Sequence, residues 1–203
     1  LEGFRTVKAS PYLRAVAFQN MAMGIFFMGS YIVTIPLLIR ELYQGGSVEL
    51  SWVNGVNALG LVLTILYLLR IGDIHRQGRA LLVAQGIGAT ALACGGLGLG
   101  FYSLLACVFL WGMCGGLAMT MARTIMQEMA PVDQRARIMA FYSFSFMGAG
   151  PIGALLSGYL VKWVGPSEAL IFSSVSMFTV VIFVALRSSL WKLDTTPKNH
   201  LSK

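Results

Sequence analysis

Ten residues, Arg70 to Arg79 (RIGDIHRQGR), hold three arginines, one of the chain's two histidines, an aspartate and two glycines. Such a set could serve catalysis, contact a nucleic acid or close a hinge. Catalysis needs partners that are missing. An intramembrane aspartyl protease pairs two facing aspartates, one of them in a Gly-x-Gly-Asp setting, but Arg70 stands where the first glycine before Asp73 would fall, and Asp133 and Asp194 lie in a loop and the tail. A serine protease needs a histidine within hydrogen-bond reach of the nucleophile, whereas His75 and His200 both fall outside the apolar segments. Cys94, Cys107 and Cys114 lack CxxC spacing, which argues against a disulfide frame and against zinc. No metal, cofactor or redox constellation emerges, and the chain reads as a non-enzyme.

The elements around that loop are apolar. Of 203 residues, 57% are hydrophobic and 11% charged, and the mean hydropathy is +0.74; a soluble domain carries about 25% charged residues. Uncharged runs extend over Ala15–Ile39, Leu50–Leu69, Ala80–Ala122, Ile138–Val161 and Ala169–Leu186, each meeting the roughly 17 to 25 residues that a spanning helix requires. The third run would form a helix of about 65 Å, twice the hydrocarbon thickness, so it must fold back, with Gly98–Ser103 as the expected break. The first run, about 37 Å long, should tilt or bend, with Pro36 as the expected place. The expected fold is an all-α membrane protein, a six-transmembrane-helix bundle. Residues 1–14 form a basic cytoplasmic lead-in, 15–187 the bundle and 188–203 a cytoplasmic tail. The chain begins at Leu1 without a methionine or a cleavable signal, as expected of a piece of something longer or trimmed.

Charge orients the bundle, because cytoplasmic flanks collect Lys and Arg. With both termini inside, thirteen of the fifteen basic residues are cytoplasmic, and only Arg40 and Lys162 lie outside. The net charge of +7 is thereby divided among loops and ends that each adjoin a membrane segment, which argues against nucleic acid as a partner. The partner implied is the lipid bilayer.

Polar side chains inside apolar spans are costly unless they face one another, the bundle interior or water. Asn20, Asn54, Asn57, Gln85 and the amphipathic Tyr142 therefore read either as glue between helices or as the wall of a cavity for a small amphipathic molecule. Arg123, Gln127 and Glu128 close the cytoplasmic end of the fourth span. No carboxylate lies deep in any span, so a titrating proton carrier is absent from this stretch. Small residues recur four apart, Gly96 with Gly100, Gly112 with Gly116, and Gly150 with Ala154 and Gly158, the spacing that lets helix backbones approach in lipid. GDIHRQGRALL and GYLVKWVGPSEALI share two glycines and an Ala-Leu opening the next helix, a weak sign of an inverted repeat of three plus three spans.

Six spans with both ends inside, the Gly/Asp/Arg loop after the second, and MQEMAPVDQRARIMAFYSFSFMGAGPIGALLSGYL across the fifth resemble the C-terminal half of a major facilitator superfamily transporter. GSYIVTIPLLIREL at the end of the first span and the Pro151-Ile152-Gly153 step are similar to the enterobactin-exporter-like branch of bacterial efflux permeases. The resemblance runs from about Pro11 to Leu190. It implies half of a transporter with a 3+3 inverted repeat, a partner N-terminal six-helix half, and a small-molecule substrate moved by alternating access. It also implies a bacterial inner (cytoplasmic) membrane. In the family, the charges of the loop after the second span clamp the two halves in one state. Arg76, Gly78 and Arg79 match that loop's pattern, while His75 stands at its aspartate position, Asp73 falls two residues early after Gly72, and Ile71 replaces the first glycine. With the motif weakened in this way, the resemblance implies turn formation and topology at Gly72, Asp73, His75, Arg76, Gly78 and Arg79 more than a full gating network. It leaves open whether Asp73 or His75 pairs with Arg76 or Arg79 as a latch. The Pro-x-Gly step is one residue short of the antiporter signature. A non-transporting six-helix membrane subunit or sensor is the alternative reading.

Overall fold

The computed structural model describes residues 2–72 and 74–192. These form seven helices in chain order: α1 (Glu2–Ala9), α2 (Pro11–Glu41), α3 (Ser47–Ile71), α4 (Gln77–Gly95), α5 (Phe101–Glu128), α6 (Val132–Val164) and α7 (Pro166–Arg187). A short 3-10 turn, Ser189–Lys192, follows α7. The protein is all-helical among the described residues, and α2, α3, α5, α6 and α7 are long and apolar enough to cross a membrane.

Helix boundaries follow local chemistry. Ser10 caps α2, its Oγ accepting from the Leu13 amide at 3.5 Å, and Pro11 occupies the first turn, where a missing N–H costs nothing. The turn between α4 and α5 ends at Gly100, whose φ of 114° excludes a side chain without strain. The observed break spans Gly96–Gly100, slightly ahead of the expected Gly98–Ser103. Gly165, with φ 91°, makes the corresponding tight turn between α6 and α7.

Helix α2 departs from regular α geometry before Pro36. Gly24–Met28 and Ser30–Thr34 are wound as π-helix, and α-helix resumes at Ile35. The widened turns lie where α2 meets α6. A methyl on Gly24 would overlap the Phe146 carbonyl, one on Gly29 the Gly153 backbone, and one on Gly153 the Ile25 backbone. Helix α6 is itself interrupted at Gly148 within this region.

In the bundle, α5 packs along α4 on one side and α3 on the other, α7 covers another face of α4, and α6 lies against α2 and α7. Helix α4 accounts for the difference between the six spans read from the sequence and the five helices apolar enough to cross. It carries Gln77, Arg79, Gln85 and four glycines, and eleven of its nineteen residues are buried by its neighbours. A helix surrounded by protein need not be as apolar as one facing lipid.

Candidate functional site

A cleft of about 270 Å3 opens among α2, α3, α5 and α6, with Met23, Phe27, Tyr31, Asn57, Trp111 and Met119 in its wall. Trp111 organises it. Phe27 meets the indole edge to face, with centroids 5.7 Å apart and planes at 86°, and Tyr31 lies at the same distance, tilted by 53°. Offset and edge-on pairs of this kind hold rings in fixed orientations. The Tyr31 hydroxyl donates to Asn54 Oδ1 at 2.7 Å, tying α2 to α3. Asn57 Nδ2 donates to the Val108 carbonyl at 3.3 Å, leaving its amide oxygen without a partner among the described residues. The cleft thus presents aromatic and thioether surface with an amide acceptor at its wall. It can bind a small apolar or aromatic molecule that carries a hydrogen-bond donor.

The other amides and Tyr142 are spent on holding helices together. Asn20 Nδ2 donates to the Tyr142 carbonyl at 2.9 Å, joining α2 to α6, and the Tyr142 hydroxyl donates to the Met119 carbonyl at 3.3 Å, joining α6 to α5. Gln19 donates to Gln85, and Gln85 Nε2 reaches Met23 Sδ at 3.6 Å, so α2 and α4 are bonded in the interior. Of the five residues read as cavity candidates, Asn57 lines the cleft, Asn54 holds Tyr31, and Asn20, Gln85 and Tyr142 bridge helices.

The glycines divide in the same way. Gly112 and Gly116 of α5 lie against the backbone at Asn57 and Leu61 of α3, Gly96 lies against Ser167 and Ile171 of α7, and Gly150 lies against Met28. Gly153 makes the close crossing on α2, whereas Gly100 serves the turn, and Gly158 has open space where a Cβ would sit. Pro151 is exposed.

At the opposite end of α4 from the Gly100 turn, Gly72 takes φ 79° to leave α3, and His75 and Arg76 are exposed. Asp73 lies outside the described residues. Gln77 is buried and donates to both carboxylate oxygens of Glu128, at 3.2 and 3.1 Å, linking the start of α4 to the end of α5. Arg123 and Gln127 are exposed nearby on α5. Gly78 admits the Leu190 carbonyl so closely that a methyl would overlap it, and the Arg79 guanidinium stacks 4.7 Å from the centroid of Trp191. Two of the loop residues therefore seat the turn that follows α7.

Sequence reasoning missed Tyr31, Phe27 and Trp111. One signal was available for the last. Trp52, Trp163 and Trp191 fall near helix ends, the usual place for tryptophan in membranes, while Trp111 lies well inside α5. Among the described residues, no group of three or more histidines, cysteines or carboxylates could hold a metal ion. A larger groove, about 620 Å3, runs among α4, α5 and α7 past Cys94 and Cys107, but it offers no amide or indole for recognition.

Comparison with known sequences matches residues 17–202 to the Major Facilitator Superfamily. The chain is 25% identical over 195 residues to the protein described as "Uncharacterized MFS-type transporter YwfA" of Bacillus subtilis (strain 168). That similarity covers 95% of this chain and 46% of the relative, so the chain spans less than half the relative's length.

Proposed function

Because the chain belongs to the major facilitator superfamily, a family of non-enzymatic integral membrane proteins, we propose that it is the C-terminal six-span half of a secondary transporter that exports a small amphipathic molecule. Its cleft among α2, α3, α5 and α6 would form one wall of the substrate site, the other wall coming from an N-terminal half, and access would alternate as the halves rock. The cleft itself is the observation that carries this reading: an aromatic cage around Trp111, thioethers from Met23 and Met119, and an unused amide oxygen on Asn57. Helix α4, although less apolar than its neighbours, would be the third span, shielded by α5 and α7. The bias of basic residues supports both termini lying on the cytoplasmic side, and the membrane would be a bacterial inner membrane.

The 3+3 repeat rests on helix order and on the glycine turns before α4 and after α6. The two turns are built differently. Gly72 provides the positive φ before α4, but the second glycine, Gly165, provides it before α7. The enterobactin-exporter-like branch is the affiliation suggested by the Pro151-Ile152-Gly153 step and the first span's GSYIVTIPLLIREL.

Asn57→Leu in the intact protein tests the site. Loss of one hydrogen bond to the cargo, about 1 to 1.5 kcal/mol, should raise the apparent KM for export of an amphipathic dye roughly five- to tenfold while the protein remains inserted. Unchanged export kinetics would remove Asn57 from the substrate wall.

A further inference from the structure

A third hollow, about 560 Å3 and sharing no lining residue with the cleft or the groove, lies between the start of α2 and the end of α7. Its wall includes Pro11, Arg14, Phe18, Phe183, Arg187 and Ser188. Arg14 and Arg187 both line this hollow, and neither pairs with a carboxylate among the described residues. Ser188 brings no charge to the hollow, and its hydroxyl donates to the Val184 carbonyl at 2.6 Å while accepting from the Leu190 amide at 3.4 Å. Two like charges in one hollow repel, and an anion bound between them would remove that cost. Phe18 and Phe183, each four residues and so about one turn from an arginine along its helix, provide exposed apolar surface.

We propose that this hollow binds the phosphodiester headgroup of an anionic phospholipid, with an acyl chain running down over Phe18 and Phe183. The reading rests on α2 and α7 being membrane spans. The start of α2 and the end of α7 fall on the same side of the bundle, where hydrocarbon gives way to headgroups. A phosphodiester accepts paired N–H donors from planar guanidiniums, and basic pockets between spans are suited to anionic lipid. A soluble phosphate would match the arginines but leave the phenylalanine surface unused, so the combination favours the lipid.

The test is retention of phosphatidylglycerol against phosphatidylcholine by the intact purified protein in detergent, read by native mass spectrometry. Wild type should retain phosphatidylglycerol preferentially, and Arg14→Gln with Arg187→Gln should lower that preference roughly twenty-five-fold, about fivefold for each charge. Arg40→Gln, at the far end of α2, should leave the preference intact. The proposal is overturned if the double variant keeps the preference, if Arg40→Gln loses as much, or if inorganic phosphate displaces phosphatidylglycerol at equal concentration. Lipid retention is read without transport, so loss of lipid preference and loss of export are distinguishable outcomes.

Discussion

Helices α3 and α4 sit on either side of α5 and have opposite fates. Helix α3 is the more apolar, yet of its twenty-five residues only Val53, Gly60 and Thr64 are buried, and Leu59, Val62, Leu66 and Leu69 face outward. Helix α4 carries two glutamines, an arginine and four glycines, and its neighbours enclose most of it. In water the more apolar helix would be the buried one. In lipid, apolar side chains gain nothing by leaving the solvent, so close backbone contact and polar partners decide which helix goes inside. Helix α3 packs chiefly along one seam, where Gly60 meets the Phe109 carbonyl and Gly112 and Gly116 receive Asn57 and Leu61, and the Tyr31–Asn54 hydrogen bond adds a tie to α2. Helix α4 is held on several sides, by Gln85 to α2, by Gln77 to Glu128, and by Gly96 to α7.

This contrast can be broken most directly at the α3 seam. Gly60→Leu drives a side chain into the α5 backbone and should destabilise the protein by about 3 kcal/mol, whereas Gly55→Leu, five residues earlier with open space beyond it, should stay within about 0.5 kcal/mol. Denaturant unfolding in micelles compares them, and equal losses would mean that α3 is held on more than one face. A smaller effect is expected inside α4. Gln85→Leu should cost about 1 kcal/mol, and adding Gln19→Leu should cost little more, because the two amides share one interaction. Additive losses in that double-mutant cycle would show that each glutamine acts alone.

The smallest contrast separates the arginines at the facing ends of the two helices. Arg79→Ala removes the stack on Trp191 and should cost roughly 0.5 to 1 kcal/mol, while Arg70→Ala, at the exposed end of α3, should fall below about 0.5 kcal/mol. Equal effects would mean that the Trp191 contact contributes nothing to holding the turn after α7.

Much of the fold was legible because it depends on length and hydropathy. The uncharged runs locate the long helices, and the excess length of Ala80–Ala122 requires the turn that Gly96–Gly100 supplies. The site was only partly legible. That Asn20, Asn54, Asn57, Gln85 and Tyr142 would avoid lipid followed from the cost of bare amides and hydroxyls. Which would bridge helices and which would face a cavity depended on rotation and crossing, and single-residue spacing does not carry that information. The π-wound stretch of α2 was equally invisible, and it lies at a crossing where Gly24 and Gly29 meet Phe146 and Gly153 of α6, residues more than a hundred positions away in the chain.

RIGDIHRQGR shows the division at its clearest. Its charges and glycines, taken alone, require a turn at the membrane surface, because arginines do not enter hydrocarbon unpaired and glycine permits the reversal. Tertiary structure alone decided that Gln77 would reach Glu128, that Gly78 would admit the Leu190 carbonyl and that Arg79 would lie on Trp191. The first kind of outcome follows from the free energy of placing each residue in lipid or water, which is local to the chain. The second depends on which surfaces approach within a few ångströms, and residues fifty or more positions apart meet only when the helices have packed.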